Sequence, residues 1–321
     1  SWTIMFLAIS ALLLVDTIQV KSKFYACIIG ILMSSSPIVA SFMSYTSGSY
    51  LFVCGIPFAI LAVRWFDKGV KGYILASLSL MCAIAGYQSN IAITIALMYA
   101  VFFSKLLDKE VDMKKWWNIF AKAFSVLIIG LILYILSTYV VSAINDGGFA
   151  TDGSFSVGVT SGEMELEGYD AQSETGTLYL STIPRTISIS IKYFIKYHFN
   201  IFFDGANKSI ASKINVFSSV ILLLCTILAV AKAFINQKKW SVKIPMLLVA
   251  LMAPICINST EIILNGKCEE TLQMMYSMIM VVPFIVLIFE RTSFNKEKIN
   301  NILTSLIMFA FVLPNILCTI S

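Results

Sequence analysis

The chain has 321 residues, 58% of them hydrophobic and only 13% charged, with a mean hydropathy of +0.85, whereas a soluble protein carries about 25% charged residues. That excludes a soluble enzyme, and the unbroken apolar runs exclude a β-barrel, whose strands alternate over about 10 residues; what remains is an all-α, polytopic transmembrane helical bundle. The net charge of +5 is no argument for a nucleic-acid partner, because cytoplasmic loops carry excess Lys and Arg for topological reasons.

Trp2 to Ile18 reads as the first crossing, and Lys21 and Lys23 follow it. Ser1 opens directly in this apolar run, with no basic flank, so the chain reads as one that starts part-way through a larger protein. Phe24 to Met43 is the second crossing, interrupted by Ser34-Ser35-Ser36-Pro37. A polar turn, Ser44 to Ser49, leads to a return over Tyr50 to Phe66, with Pro57 as a kink.

Tyr73 to Leu107 organises the rest. It is apolar for about 35 residues, too long for one crossing of roughly 20. A polar break, Gly86-Tyr87-Gln88-Ser89-Asn90, sits near its centre. Polar side chains are costly in hydrocarbon, so the spacing predicts two helices meeting at a corner on the membrane surface or against a wet cavity.

A charged segment with Trp116 and Trp117 placed as interfacial anchors comes next, then a crossing over Ile119 to Val141. Ser142 to Ile183 is rich in Gly, Ser and Thr and holds Asp146, Asp152, Glu163, Glu165, Glu167, Asp170 and Glu174 without one Lys or Arg. Pro184 to Asn207 mixes Arg185, Lys192, Lys196 and His198 with large aromatics. It reads as an amphipathic helix lying in the interface. Val216 to Ile235, Ile244 to Ile257, Gln273 to Phe289 and Ile302 to Ile320 read as the remaining crossings. A polar loop, Asn258 to Leu272, carries Glu261, Lys267, Glu269 and Glu270. Three regions result: N-terminal transmembrane helices (1–141), an extracytoplasmic acidic loop plus interfacial helix (142–213), and C-terminal transmembrane helices (214–321).

Sidedness is testable by charge. With residues 19–23, 64–72, 105–118, 236–243 and 290–300 on the cytoplasmic side, that side takes 17 of the 23 Lys and Arg, counting Lys122 and Lys232, and the other side 11 of the 18 Asp and Glu. This obeys the positive-inside rule and predicts about ten crossings. Intramembrane charges are scarce, and no internal repeat is visible, which argues against an ion pump or a two-halved transporter. The seven cysteines show no CxxC or Cys/His spacing, and His198 is the only histidine. A Cys/His metal site is not expected. Cys256 and Cys268 are the one pair placed to meet at a membrane face, and free thiols are the expected state.

Residues 34–66 and 83–103 carry a resemblance. A Pro-containing crossing, a polar turn with Tyr45 and Ser47, a returning helix and then a helix ending in Gly86-Tyr87-Gln88 resemble the bacterial glucosyltransferase II family of serotype-converting, Gtr-type membrane enzymes. The resemblance implies a GT-C type glycosyltransferase in the cytoplasmic membrane. Such an enzyme moves a hexosyl unit, commonly glucosyl, from a polyprenyl-phosphate sugar to an extracytoplasmic surface glycan. Its partners are that lipid-linked sugar, the glycan acceptor and membrane lipid, with no nucleic acid. The catalytic carboxylate of GT-C enzymes usually lies in the first extracytoplasmic loop. No stretch here matches that loop, so the resemblance places the carboxylate upstream of Ser1. The alternatives are a polysaccharide or lipid-carrier transporter and a non-catalytic membrane subunit of glycan assembly.

The chemistry asks for a carboxylate base and a cationic or hydrogen-bonding phosphate site at the outer face. Tyr87, Gln88, Tyr45, Ser47 and Arg185 are the candidate substrate contacts. Glu261, Glu269 and Glu270, in a short loop between rigid helices, are the weaker carboxylate candidates, weighed against solvated surface acids. Lys192, Lys196 and Lys267 complete the outer set. No cofactor is expected. The Glu163-x-Glu165-x-Glu167 spacing matches no EF-hand pattern, which leaves a divalent cation as an open option only. His198 reads as an interfacial side chain.

Overall fold

The computed structural model describes residues 2–36, 38–39, 49–108, 110–145, 183–198, 210–263, 272–292 and 297–313. Tyr45, Ser47, the acidic 146–174 stretch, Lys267, Cys268, Glu269 and Glu270 lie outside them. Every regular element among the described residues is a helix.

Helix α1 (Trp2–Ile18) ends in a Schellman turn. Gln19 N–H bonds to Asp16 O at 3.3 Å and Val20 N–H to Val15 O at 3.2 Å. Gln19 takes the left-handed φ of 54°, a position that glycine usually fills. Helix α2 (Lys23–Ser35) stops at Ser36, whose ψ of 153° is extended, as the residue before a proline must be. Helix α3 (Ser49–Trp65) runs through Pro57.

The long apolar run splits as its polar break requires, into α4 (Gly69–Gly86) and α5 (Asn90–Leu106). Helix α5 is buried on nearly every face, from Ala92 to Leu106. A helix apolar all round belongs in a core. It touches α3, α4, α6 (Met113–Asn145), α9 (Trp240–Leu251), α10 (Ala253–Ile257), a 3-10 segment (Leu272–Met280) and α12 (Val281–Arg291). The bundle is therefore built around it.

The remaining elements are α7 (Ile183–His198), α8 (Ile210–Asn236), α11 (Thr260–Ile263), α13 (Glu297–Ile307) and a π-turn (Met308–Val312). Among the described residues three helices are long and apolar enough to cross a membrane: Gly69–Gly86, Met113–Val141 and Val216–Asn236. The other apolar helices are shorter, so about ten crossings remains an expectation from the sequence.

Two segments differ from that expectation. Ile244 to Ile257 is not one straight helix. It breaks at Met252, and α10 restarts with Pro254 in its first turn, because proline has no N–H to continue the ladder. Gln273 to Phe289 opens as a nine-residue 3-10 segment before α12, although 3-10 runs beyond three or four residues are uncommon.

One end of the bundle is laced by ion pairs. Arg64 pairs with Asp16; Lys122 and Lys105 approach Asp67 at 3.0 and 3.7 Å; Arg291 lies 3.1 Å from Asp108. The Lys21 and Ser22 amides donate to Glu290 at 2.9 and 3.1 Å, and Gln237 Nε2 donates to Asp108 O at 2.6 Å. All five segments grouped by charge in the sequence thus meet at this end.

Candidate functional site

The opposite end is held by amide and hydroxyl hydrogen bonds. Helix α4 runs from Gly69 at the ion-paired end to Gly86, about 25 Å away at 1.5 Å per residue. There Tyr87 turns extended and closes the helix, its N–H on Ala83 O at 3.2 Å. Asn90, buried, donates its side-chain amide to the same carbonyl at 3.1 Å. The N–H groups of Asn90, Ile91 and Ala92 bond back to Tyr87, Gln88 and Ser89. The corner therefore satisfies its own backbone, as a break inside an apolar bundle must. Tyr87 and Gln88 are half-buried, and Gln88 Nε2 donates to Tyr134 OH of α6 at 3.4 Å.

A second polar group lies away from the ion-paired end. The Tyr276 hydroxyl, in the 3-10 segment, donates to Met33 O at 2.9 Å. Met33 is ten residues along α2 from Lys23, about 15 Å from the ion-paired end. Beside Tyr276, Ser277 Oγ and Thr260 Oγ1 share a hydrogen bond of 3.3 Å. Asn258 and Ser190 tie α7 to this turn reciprocally, Ser190 Oγ donating to Asn258 O at 2.8 Å and Asn258 Nδ2 to Ser190 O at 2.9 Å. Glu261 sits next in the chain, fully enclosed. It is the one buried acidic side chain among the described residues. Asn258 Oδ1 and Ser259 Oγ, also buried, have no hydrogen-bond partner among the described residues. Such groups are costly to leave unmade, at about 1–3 kcal/mol each, and a polar ligand would relieve that cost.

Helix α7 covers this turn. Its buried face carries Thr186, Ser190 and Tyr193, and its outer face Arg185, Ser188 and Lys192. This is the amphipathic pattern read from the sequence, with Lys192 and Lys196 over the Tyr193 ring at 5.9 and 5.6 Å. His198 departs from that reading. It is buried against the rings of Phe194 and Phe311, at 4.5 and 5.7 Å, and desolvation lowers its pKa to about 3. It is a neutral packing group, not a headgroup-level side chain.

Glu261 is the larger correction to the picture of a solvated outer loop. The residues after Ile257 turn back beneath α7 and bury the carboxylate instead of presenting it to water. Asn90, Asn258 and Ser277 take part in these polar groups without having been candidate contacts in the sequence. Asn90 had a signal, as the last residue of the polar break; Asn258 and Ser277 meet Ser190 and Thr260 only through the fold. Arg185 is exposed at the start of α7. Among the described residues no group of three or more His, Cys, Asp or Glu could hold a metal, and Cys27, Cys54, Cys82, Cys225 and Cys256 are free thiols.

An apolar helical bundle, ion-paired at one end and carrying an enclosed carboxylate with amide and hydroxyl groups at the other, defines a helical membrane protein with a polar site. The chain belongs to the glucosyl transferase GtrII family, whose model matches residues 2–287. Membership makes it a glycosyltransferase with a sugar donor and an acceptor as substrates. No curated protein and no solved structure matches the chain.

Proposed function

We propose that the protein is a GT-C type enzyme of the cytoplasmic membrane that moves a glucosyl unit from a polyprenyl-phosphate sugar to an extracytoplasmic surface glycan. The ion-paired end faces the cytoplasm in this reading, and the end bearing Tyr87, Gln88 and Glu261 faces outward. One observation carries it: a glucosyl transferase chain keeps its buried carboxylate and its polar corner at the end opposite its basic loops.

The chemistry follows from that placement. An acceptor hydroxyl attacks the anomeric carbon, the bond from that carbon to the phosphate oxygen breaks, and the polyprenyl phosphate leaves. Glu261 takes the hydroxyl proton as general base. Tyr87 and Gln88 hydrogen-bond the sugar, and Tyr45 and Ser47 are its further contacts in this reading. Arg185 meets the phosphate, for which a guanidinium is suited. Glu269 and Glu270 are the other carboxylates assigned to this face.

The test is label transfer. The purified protein is incubated with radiolabelled polyprenyl-phosphate-glucose and envelope glycan from a strain lacking the enzyme. Label appearing in the glycan supports the reading. Label remaining on an intact carrier, with folded protein and verified donor and acceptor, sinks it.

A further inference from the structure

An apolar groove of about 200 Å³ opens on the flank of the bundle between α5, α6 and the broken α9–α10 pair. Its floor is Tyr99, Phe102, Trp116 and Ala123, all buried; Phe120 and Phe124 stand exposed at its rim, and Met252 faces them from the break after α9. The two floor residues with polar atoms have them tied off. Tyr99 OH donates to Val249 O at 2.8 Å, and Trp116 Nε1 donates to Phe102 O at 3.2 Å. The walls expose no nitrogen or oxygen, and Cys256 adds a thiol to the lining. The groove offers contact to hydrocarbon and nothing else.

Its position says which hydrocarbon. Of the five lining residues of α6, Trp116, Phe120, Ala123 and Leu127 are spaced as one helix face, with Phe124 beside them at the rim. Tyr134, which holds Gln88 at the polar corner, lies 18 residues beyond Trp116. That is five full turns, so the two point the same way about 27 Å apart. Between groove and corner, Leu80 of α4 packs on α6 at Gly130, and the exposed Ile128 and Leu131 lie on the flank beside that contact. A chain headed at Gln88 and seated in the groove therefore runs through about the whole hydrocarbon core, roughly 30 Å thick. An acyl chain anchored in the outer leaflet spans only about half of that.

We infer that this groove seats the isoprenoid tail of the donor, while its phosphosugar lies at the Tyr87–Gln88 corner. The inference rests on the lipid-linked donor of the proposed function. It adds the place where the tail binds and makes donor chain length a determinant of affinity. Trp116, Phe120 and Phe102, packed edge and face, wall the inner end of the groove. Beyond them comes the charged Asp112–Lys115 turn.

The experiment compares two polyprenyl-phosphate-glucose donors, one of full length and one truncated to two isoprene units, on the wild type and on Ala123→Phe, which fills the floor. The expected result is a KM for the long donor raised tenfold or more in the variant, with the KM for the short donor unchanged. Equal KM values for the long donor in both proteins overturn the groove. Glucose transfer from neither donor by the wild type is a failure of the proposed function, not of the groove. The groove is tested independently on unaltered protein, by irradiating it with polyprenyl phosphate carrying a diazirine in its distal isoprene units. Adducts on residues 116–127 and Met252 are expected. Adducts elsewhere only, or equal labelling there by a diazirine phosphatidylglycerol at the same dilution, overturn the assignment; the latter makes the groove an ordinary lipid contact.

Discussion

Gly55 of α3 and Gly86 of α4 meet backbone to backbone: a β-carbon on Gly86 would fall 3.0 Å from both the Cα and the N of Gly55. A β-carbon on Gly55 would in turn fall 2.6 Å from Ala83 O and collide with the Asn90 amide. The corner that holds Tyr87 and Gln88 is thus set by two missing side chains. Gly86→Ala is expected to destabilise the protein by about 1–3 kcal/mol, the usual cost of overpacking, and to lower glucosyl transfer with it. Gly30→Ala is the control, since nothing lies within 4 Å of a β-carbon there, and alanine gains up to about 1 kcal/mol of helix propensity. Thermal unfolding in detergent of both variants checks the pair.

Asn90 joins the corner to the helix before it. Its amide reaches Ala83 O at 3.1 Å from a buried position. Asn90→Leu removes that bond and is expected to cost about 1 kcal/mol. Asn90→Asp puts a carboxylate against a carbonyl oxygen and is expected to cost more. The order of their melting temperatures, wild type above Leu above Asp, is the readout.

How much of this was legible beforehand depends on where each residue gets its environment. The α4–α5 corner was legible to within a residue, because a polar pentapeptide inside an apolar run has one economical solution. The grouping of loops was legible from charge, and the ion pairs of Asp16, Asp67 and Asp108 now join the same segments. The break at Met252 was not, since Pro245 and Pro254 both sit in one apolar run, and the first lies inside a helix while the second opens a new one. Glu261 was least legible. Its neighbours in sequence are polar, and its burial comes from α7, more than sixty residues earlier, folding over the turn.

His198 gives the stability a pH dependence. Its pKa falls to about 3 in the folded protein from about 6.5 unfolded. Between those values the unfolded state binds more protons, so stability rises with pH. This contribution is fully present above about pH 6.5 and is lost progressively as pH falls toward 3. The melting temperature is expected to drop from pH 7 to pH 5 in the wild type, with a shallower drop in His198→Phe.

The ion-paired end is expected to matter little to stability. Asp67 holds Lys105 and Lys122, but all three side chains are partly exposed, and such pairs contribute about 0–1 kcal/mol. Asp67→Asn is expected to lower the melting temperature slightly at low ionic strength and not at all in 1 M salt, where the screening length is about 3 Å. A salt series on both proteins checks this.

The most direct test of the account is the turnover of Glu261→Gln, assayed with polyprenyl-phosphate-glucose and glycan acceptor beside a melting curve. The substitution keeps the volume of an enclosed side chain and removes its capacity to take up a proton. The account predicts a kcat lower by about 10²-fold or more, the range of general acid–base catalysis, with KM for the donor and the melting temperature close to wild type. Wild-type turnover in a folded Glu261→Gln protein would contradict it and remove Glu261 from the chemistry.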